Sequence, residues 1–113
     1  MTSSRAFAVG VADEQAVFTT PEADRRIEAI DAWWRANREK APDLFEEELA
    51  LAVRMLADAP GIGKRYLHAT GGIRRVLLRS TRNHVYYVEH EDRVLVVAVW
   101  GAVKGAGPDL NRL

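Results

Sequence analysis

The sequence predicts an α+β fold in the order β-α-α-β-β-β, an antiparallel helix hairpin packed on one face of a small, mainly antiparallel sheet. Three observations predict it. Two adjacent stretches repeat their apolar residues at helical spacing, three later stretches are short and rich in β-branched residues, and Gly, Pro and Asp punctuate the joins. At 113 residues the chain reads as one domain, 1–113, with tails at 1–15 and 101–113.

Ala16-Val17-Phe18-Thr19 reads as the first strand. Thr20-Pro21-Glu22 then opens a helix: Thr20 can accept backbone N–H bonds, Pro21 suits the first helical position, and Glu22 and Asp24 complement the positive end of the dipole. Ala23, Ile27, Ile30 and Trp34 carry this helix to about Arg38. Ala41-Pro42-Asp43 breaks it and starts a second, whose stripe is Phe45, Leu49, Ala52 and Leu56 with Leu44, Leu51 and Met55 beside it. So wide an apolar arc predicts contact with both the first helix and the sheet. Ala59-Pro60-Gly61 ends the second helix, and the glycines of 60–72 mark a loop. Strands follow at 73–80, 84–90 and 93–100. Alternation in the first puts Arg75, Leu77 and Arg79 opposite Arg74, Val76 and Leu78. The last is apolar on both faces, which predicts a central strand covered by the helices on one side.

No cysteine is present, so there is no disulfide framework and no thiolate zinc site. No apolar run approaches the roughly 20 residues of a membrane span, and residues 1–15 lack the apolar centre of an export signal, so the cytoplasm is the expected compartment. Formal net charge is zero, yet acids dominate residues 13–58, most densely at Glu46-Glu47-Glu48. Bases dominate 64–104 through Lys64, Arg65, Arg74, Arg75, Arg79, Arg82, Arg93 and Lys104. That asymmetry suggests a basic face for an acidic partner or nucleic acid; charged edge strands alone produce a similar pattern.

Conventional chemistry finds little support. His68, His84 and His90 have no helical metal-ligand spacing, and His84 and His90 lie about 20 Å apart along one strand. Gly61-Ile62-Gly63-Lys64 lacks the spacing and the hydroxyl of a phosphate loop. No metal, cofactor, membrane or small-molecule substrate is expected. Tyr86 and Tyr87 point to opposite faces, one into the core and one free to stack or anchor a partner; the sequence does not say which. Trp34 fits the helical stripe, and Trp33 belongs either to a helix seam or to a partner patch.

Several stretches carry a family likeness. Val17-Phe18-Thr19 followed by Ala23, Ile27 and Ile30 resembles the opening of the RelE/ParE toxins. Residues 73–78 and 81–87 resemble their two central strands. Residues 94–100, with Gly101, Lys104, Gly105, Gly107, Pro108 and Leu110, resemble the closing strand and tail of a ParE-like subgroup. The resemblance spans about 16–110. It implies the toxin of a type II toxin–antitoxin system, causing growth inhibition and plasmid stabilization, whose free sheet face is wrapped by a cognate antitoxin. ParE-like members inhibit DNA gyrase by protein contact; RelE-like members cut mRNA on the ribosome. The implied partner-binding residues are Arg75, Arg79, Arg82, Tyr86, Trp100 and Lys104. A ribonuclease would instead use Arg75, Arg82, His84 and Lys104. No Tyr, Phe or His follows Trp100, a departure from the cleaving pattern that favours the ParE-like activity.

Overall fold

The computed structural model describes residues 6–7, 15–67, 71–102, 107, 108 and 110. Strands β1 (Ala6–Phe7) and β2 (Ala16–Thr19) lead into helices α1 (Pro21–Asn37) and α2 (Leu44–Asp58). A one-turn 3-10 segment (Pro60–Ile62) and strand β3 (Lys64–Arg65) precede β4 (Ile73–Leu78), β5 (Asn83–Glu89) and β6 (Arg93–Gly101). The predicted order β-α-α-β-β-β is present as β2-α1-α2-β4-β5-β6. Two short strands add to it. β1 falls in the expected N-terminal tail, and β3 falls in the expected loop.

Local chemistry sets the helix starts. Thr20 is extended and its hydroxyl accepts the Ala23 N–H at 3.1 Å, with Pro21 in the first turn. Across the link between the helices, Arg35 reaches Asp31 at 2.9 Å, Asp43 at 2.6 Å and Glu46 at 3.3 Å. These groups are largely exposed, so they set the hairpin geometry more than they stabilise the fold.

The sheet runs β1-β2-β6-β5-β4-β3, antiparallel throughout except that β2 pairs parallel with β6. β6 is central, as its two-faced apolar pattern predicts. Its pairing with β5 carries a bulge: Tyr86 faces Ala98 and Tyr87 faces Val96, which leaves Val97 as the extra residue. Val97 and Ala98 therefore both lie on the side away from the helices.

The main core fills the space between helices and sheet, where Phe45, Leu56, Val17, Val85, Val94 and Tyr87 are fully buried. The stripe Phe45, Leu49, Ala52 and Leu56 is buried as expected. Leu51 and Met55 are not covered, being 65% and 48% exposed, so the arc of α2 is wider than the surface it meets. Trp33 is likewise 48% exposed instead of packed in a helix seam, with Arg38 stacked 4.8 Å from its ring centroid. Among the described residues no helix packs across the opposite sheet face, but that face is not bare. Ile73, Tyr86, Val97 and Leu110 form a second, smaller buried cluster there.

Candidate partner-binding face

The helix-free face is organised in cross-strand rows. Lys64 of β3 pairs with Arg75 of β4, Arg75 with Tyr86 of β5, and Tyr86 with Ala98 of β6. One row along, Leu77 pairs with His84 and His84 with Trp100. The period of two therefore brings Arg75, Tyr86, His84 and Trp100 onto one surface.

Arg75 is the cation at the centre of this surface. Its guanidinium lies 5.1 Å from the Tyr66 ring centroid and 5.9 Å from that of Tyr86, and it donates to the Tyr86 hydroxyl at 3.4 Å. Two aromatic faces and one hydrogen bond restrict the fork before any partner arrives, which lowers the entropy cost of binding a carboxylate or phosphate. Arg74 points the other way and donates to the Gly63 carbonyl at 2.8 Å. Neighbours in sequence thus divide the work: Arg74 ties down a loop, and Arg75 faces outward.

Tyr86 sits on the expected face but is 1% exposed, its ring edge-on to Tyr66 at 4.9 Å. It forms a floor beneath Arg75 and is not itself an accessible contact. His84 is partly exposed, with its ring 6.0 Å from that of Tyr86. Burial lowers its pKa below the ordinary histidine value, and the positive charges of Arg75 and Arg82 lower it further, which favours the neutral imidazole. Trp100 is half-buried under Arg26 of α1, whose guanidinium lies 4.8 Å from the indole centroid and whose Nε donates to the Val99 carbonyl at 3.3 Å. Beside it runs a shallow groove bounded by Glu22, Arg26, Ala98, Trp100, Pro108 and Leu110.

Arg79 and Arg82 occupy the β4–β5 turn and are exposed. The electrostatic effect of Arg82 on His84 ties it to the face, whereas Arg79 shares the turn without a contact to this group among the described residues. Lys104 lies outside the described residues. The result is a half-apolar surface with a held cation at its centre and an exposed one in the adjoining turn, suited to an acidic or extended polypeptide.

The comparison with known families bears on this fold and face together. The family model for the ParE toxin of type II toxin-antitoxin system, parDE, matches residues 17–103. The chain belongs to the ParE toxin family. No curated protein matches it. The matched span runs from β2 through β6, so it covers the helix hairpin and all of the row-forming strands.

Membership makes an antitoxin the expected partner of a ParE chain with this surface. No helix among the described residues is long and apolar enough to cross a membrane, and no group of three or more metal-ligating side chains forms among them. Three contributors escape sequence reading. Tyr66 lies in a glycine-flanked stretch with no periodicity, and Arg26 is off the apolar stripe of its helix. Leu110 lies in the expected tail yet is 6% exposed. Only Leu110 carried any signal, as one of the residues that resemble the ParE-like tail.

Proposed function

We propose that the chain is a growth-inhibiting toxin that acts in the cytoplasm by protein–protein contact with DNA gyrase. A cognate antitoxin neutralises it by covering the face around Arg75 and Trp100, and one domain carries both contacts. The observation that supports this reading is the surface itself: a preorganised Arg75 shares a sheet face with Trp100, which Arg26 clamps and which lines a groove. Such a constellation binds polypeptide and has no evident nucleophile. Arg75, Arg82 and Trp100 are the contact residues of this reading, with Arg79 and Tyr86 in supporting places; Lys104, a further contact expected from the sequence, lies outside the described residues. Supercoiling of relaxed plasmid by purified gyrase is expected to fall as the protein is added and to recover in the Arg75→Glu variant. Undiminished supercoiling at a large excess of the protein overturns the gyrase target.

One observation favours a second reading. Burial, with the charges of Arg75 and Arg82, lowers the His84 pKa, which favours the neutral imidazole that proton abstraction from a ribose 2′-hydroxyl needs. In that case the chain is a ribosome-dependent mRNA endonuclease using Arg75, Arg82, His84 and Lys104. Primer extension on translated mRNA separates the two: cuts lost in His84→Ala mark cleavage, and intact message marks protein contact.

A further inference from the structure

Of the acidic run Glu46-Glu47-Glu48, Glu48 is the member turned toward the sheet. Its Oε2 accepts the Ser80 N–H at 2.6 Å, and its Oε1 accepts the Thr81 N–H at 3.0 Å and the Thr81 hydroxyl at 2.7 Å. Both atoms of one carboxylate, projecting from α2, thus hold successive backbone amides of the β4–β5 turn. Thr81 is itself buried, and the Asn83 amide donates to its carbonyl at 3.3 Å and its hydroxyl at 3.1 Å. The next residue is Arg82. Its N–H donates to the Leu78 carbonyl and its carbonyl accepts the Ala102 N–H, each at 2.8 Å. Arg82 is also the one described non-glycine residue with positive φ, at 61°.

A left-handed turn position is ordinarily filled by Gly, Asn or Asp, which adopt it at little or no steric cost. An exposed arginine there gains nothing for the backbone. The position is therefore occupied for its side chain, and something must hold the backbone in place. We propose that Glu48 is a positioning residue: by clamping Ser80 and Thr81 it keeps Arg82 left-handed and so sets the direction in which the Arg82 side chain leaves the β4–β5 turn. This rests on the reading of the partner-binding face as the toxin's working surface. The α2 helix then serves two purposes, filling the core with one side and holding the turn that carries Arg82 with Glu48.

The test uses the full chain in three variants, Glu48→Gln, Arg82→Gly and the double. Thermal unfolding, the Arg82 amide–α-proton coupling by NMR, and the inducer level that arrests growth are the readouts. Arg82→Gly is expected to keep or raise Tm, because glycine relieves the left-handed strain, while arrest requires about tenfold more protein. Glu48→Gln is expected to weaken arrest in the same direction and to change the Arg82 coupling. The double variant is expected to arrest no more weakly than Arg82→Gly alone, since Glu48 acts through Arg82. Additive losses, or a folded Glu48→Gln with unchanged coupling and full arrest, overturn the proposal. So does a lower Tm in Arg82→Gly, which decides the matter even where Glu48→Gln fails to fold. A parent chain that arrests nothing removes the toxin reading instead, and the coupling and Tm still judge the role of Glu48.

Discussion

Arg75 and His84 show how a single side chain acquires a property its type does not ordinarily have. Arg75 lies against two rings and a hydroxyl, so a normally mobile guanidinium is preset in one orientation. His84 pairs directly with Trp100 and Leu77 across the strands and feels both Arg75 and Arg82. Burial and those two charges lower its pKa from 6.5. With the folded value below the unfolded one, the neutral form contributes stability above pH 6.5, and that contribution is lost as pH falls through the folded value. The His84 ring resonances are therefore expected to titrate below 6.5 by NMR, and Arg82→Ala is expected to move the midpoint upward. A midpoint unmoved by Arg82→Ala would mean that the arginine points elsewhere in solution. Arg75 and Arg74 were legible in the sequence because strand alternation separates them. Tyr86 and Tyr87 were not, because two identical neighbours give alternation no sign.

At the scale of elements, the Tyr87 hydroxyl joins pieces that periodicity cannot see. It accepts the Gly63 N–H at 2.8 Å and donates to the Pro60 carbonyl at 2.6 Å, so β5 reaches across and fixes the segment that becomes β3. The approach leaves no room for a side chain at Gly63, where a Cβ would sit 2.5 Å from the same hydroxyl and 2.9 Å from the Arg75 carbonyl. Tyr87→Phe keeps the ring but leaves a buried donor and acceptor unpaired, at about 1–3 kcal/mol. A fall in Tm of several degrees is expected, with a larger fall for Gly63→Ala. Equal Tm values for Tyr87→Phe and the parent would show that water replaces the hydroxyl and that β3 needs no such anchor. β3 itself was invisible in the sequence, since Lys64 and Arg65 are both exposed and are a strand only by virtue of the partner in β4. The bulge was hidden for the opposite reason. Every residue from Val94 to Val99 is apolar, so no polar position marks where the alternation slips at Val97. The helices were readable because caps and stripes are local: Thr20, Pro21 and the Phe45–Leu56 spacing need no knowledge of the sheet.

At the scale of the whole molecule, formal net charge is zero, and so any long-range attraction must come from how charge is distributed. The acidic helices cover one side of the sheet, Lys64 and Arg75 pair on the other, and Arg82 stands exposed in the β4–β5 turn. The sequence made this imbalance visible but left a charged-edge explanation open. Alternation along β4 and the Glu48-held turn turn it into a directed field over the partner-binding face. On the proposed reading, an antitoxin segment carrying acids is expected to be drawn to that face, with the Trp100 groove and Leu77 holding it once it arrives. The two stages separate kinetically. Charge governs the association rate and is screened over about 10 Å at 0.1 M salt and about 3 Å at 1 M, whereas apolar contact governs dissociation and is not screened. Stopped-flow measurements with a neighbouring-gene antitoxin are expected to show association slowing steeply between these salt concentrations. Arg75→Glu is expected to slow it further at low salt only, and Trp100→Ala to speed dissociation at every salt concentration. Association that ignores both salt and Arg75→Glu would place the encounter on another surface, and the exposed Leu51 and Met55 of α2 would be the first place to look.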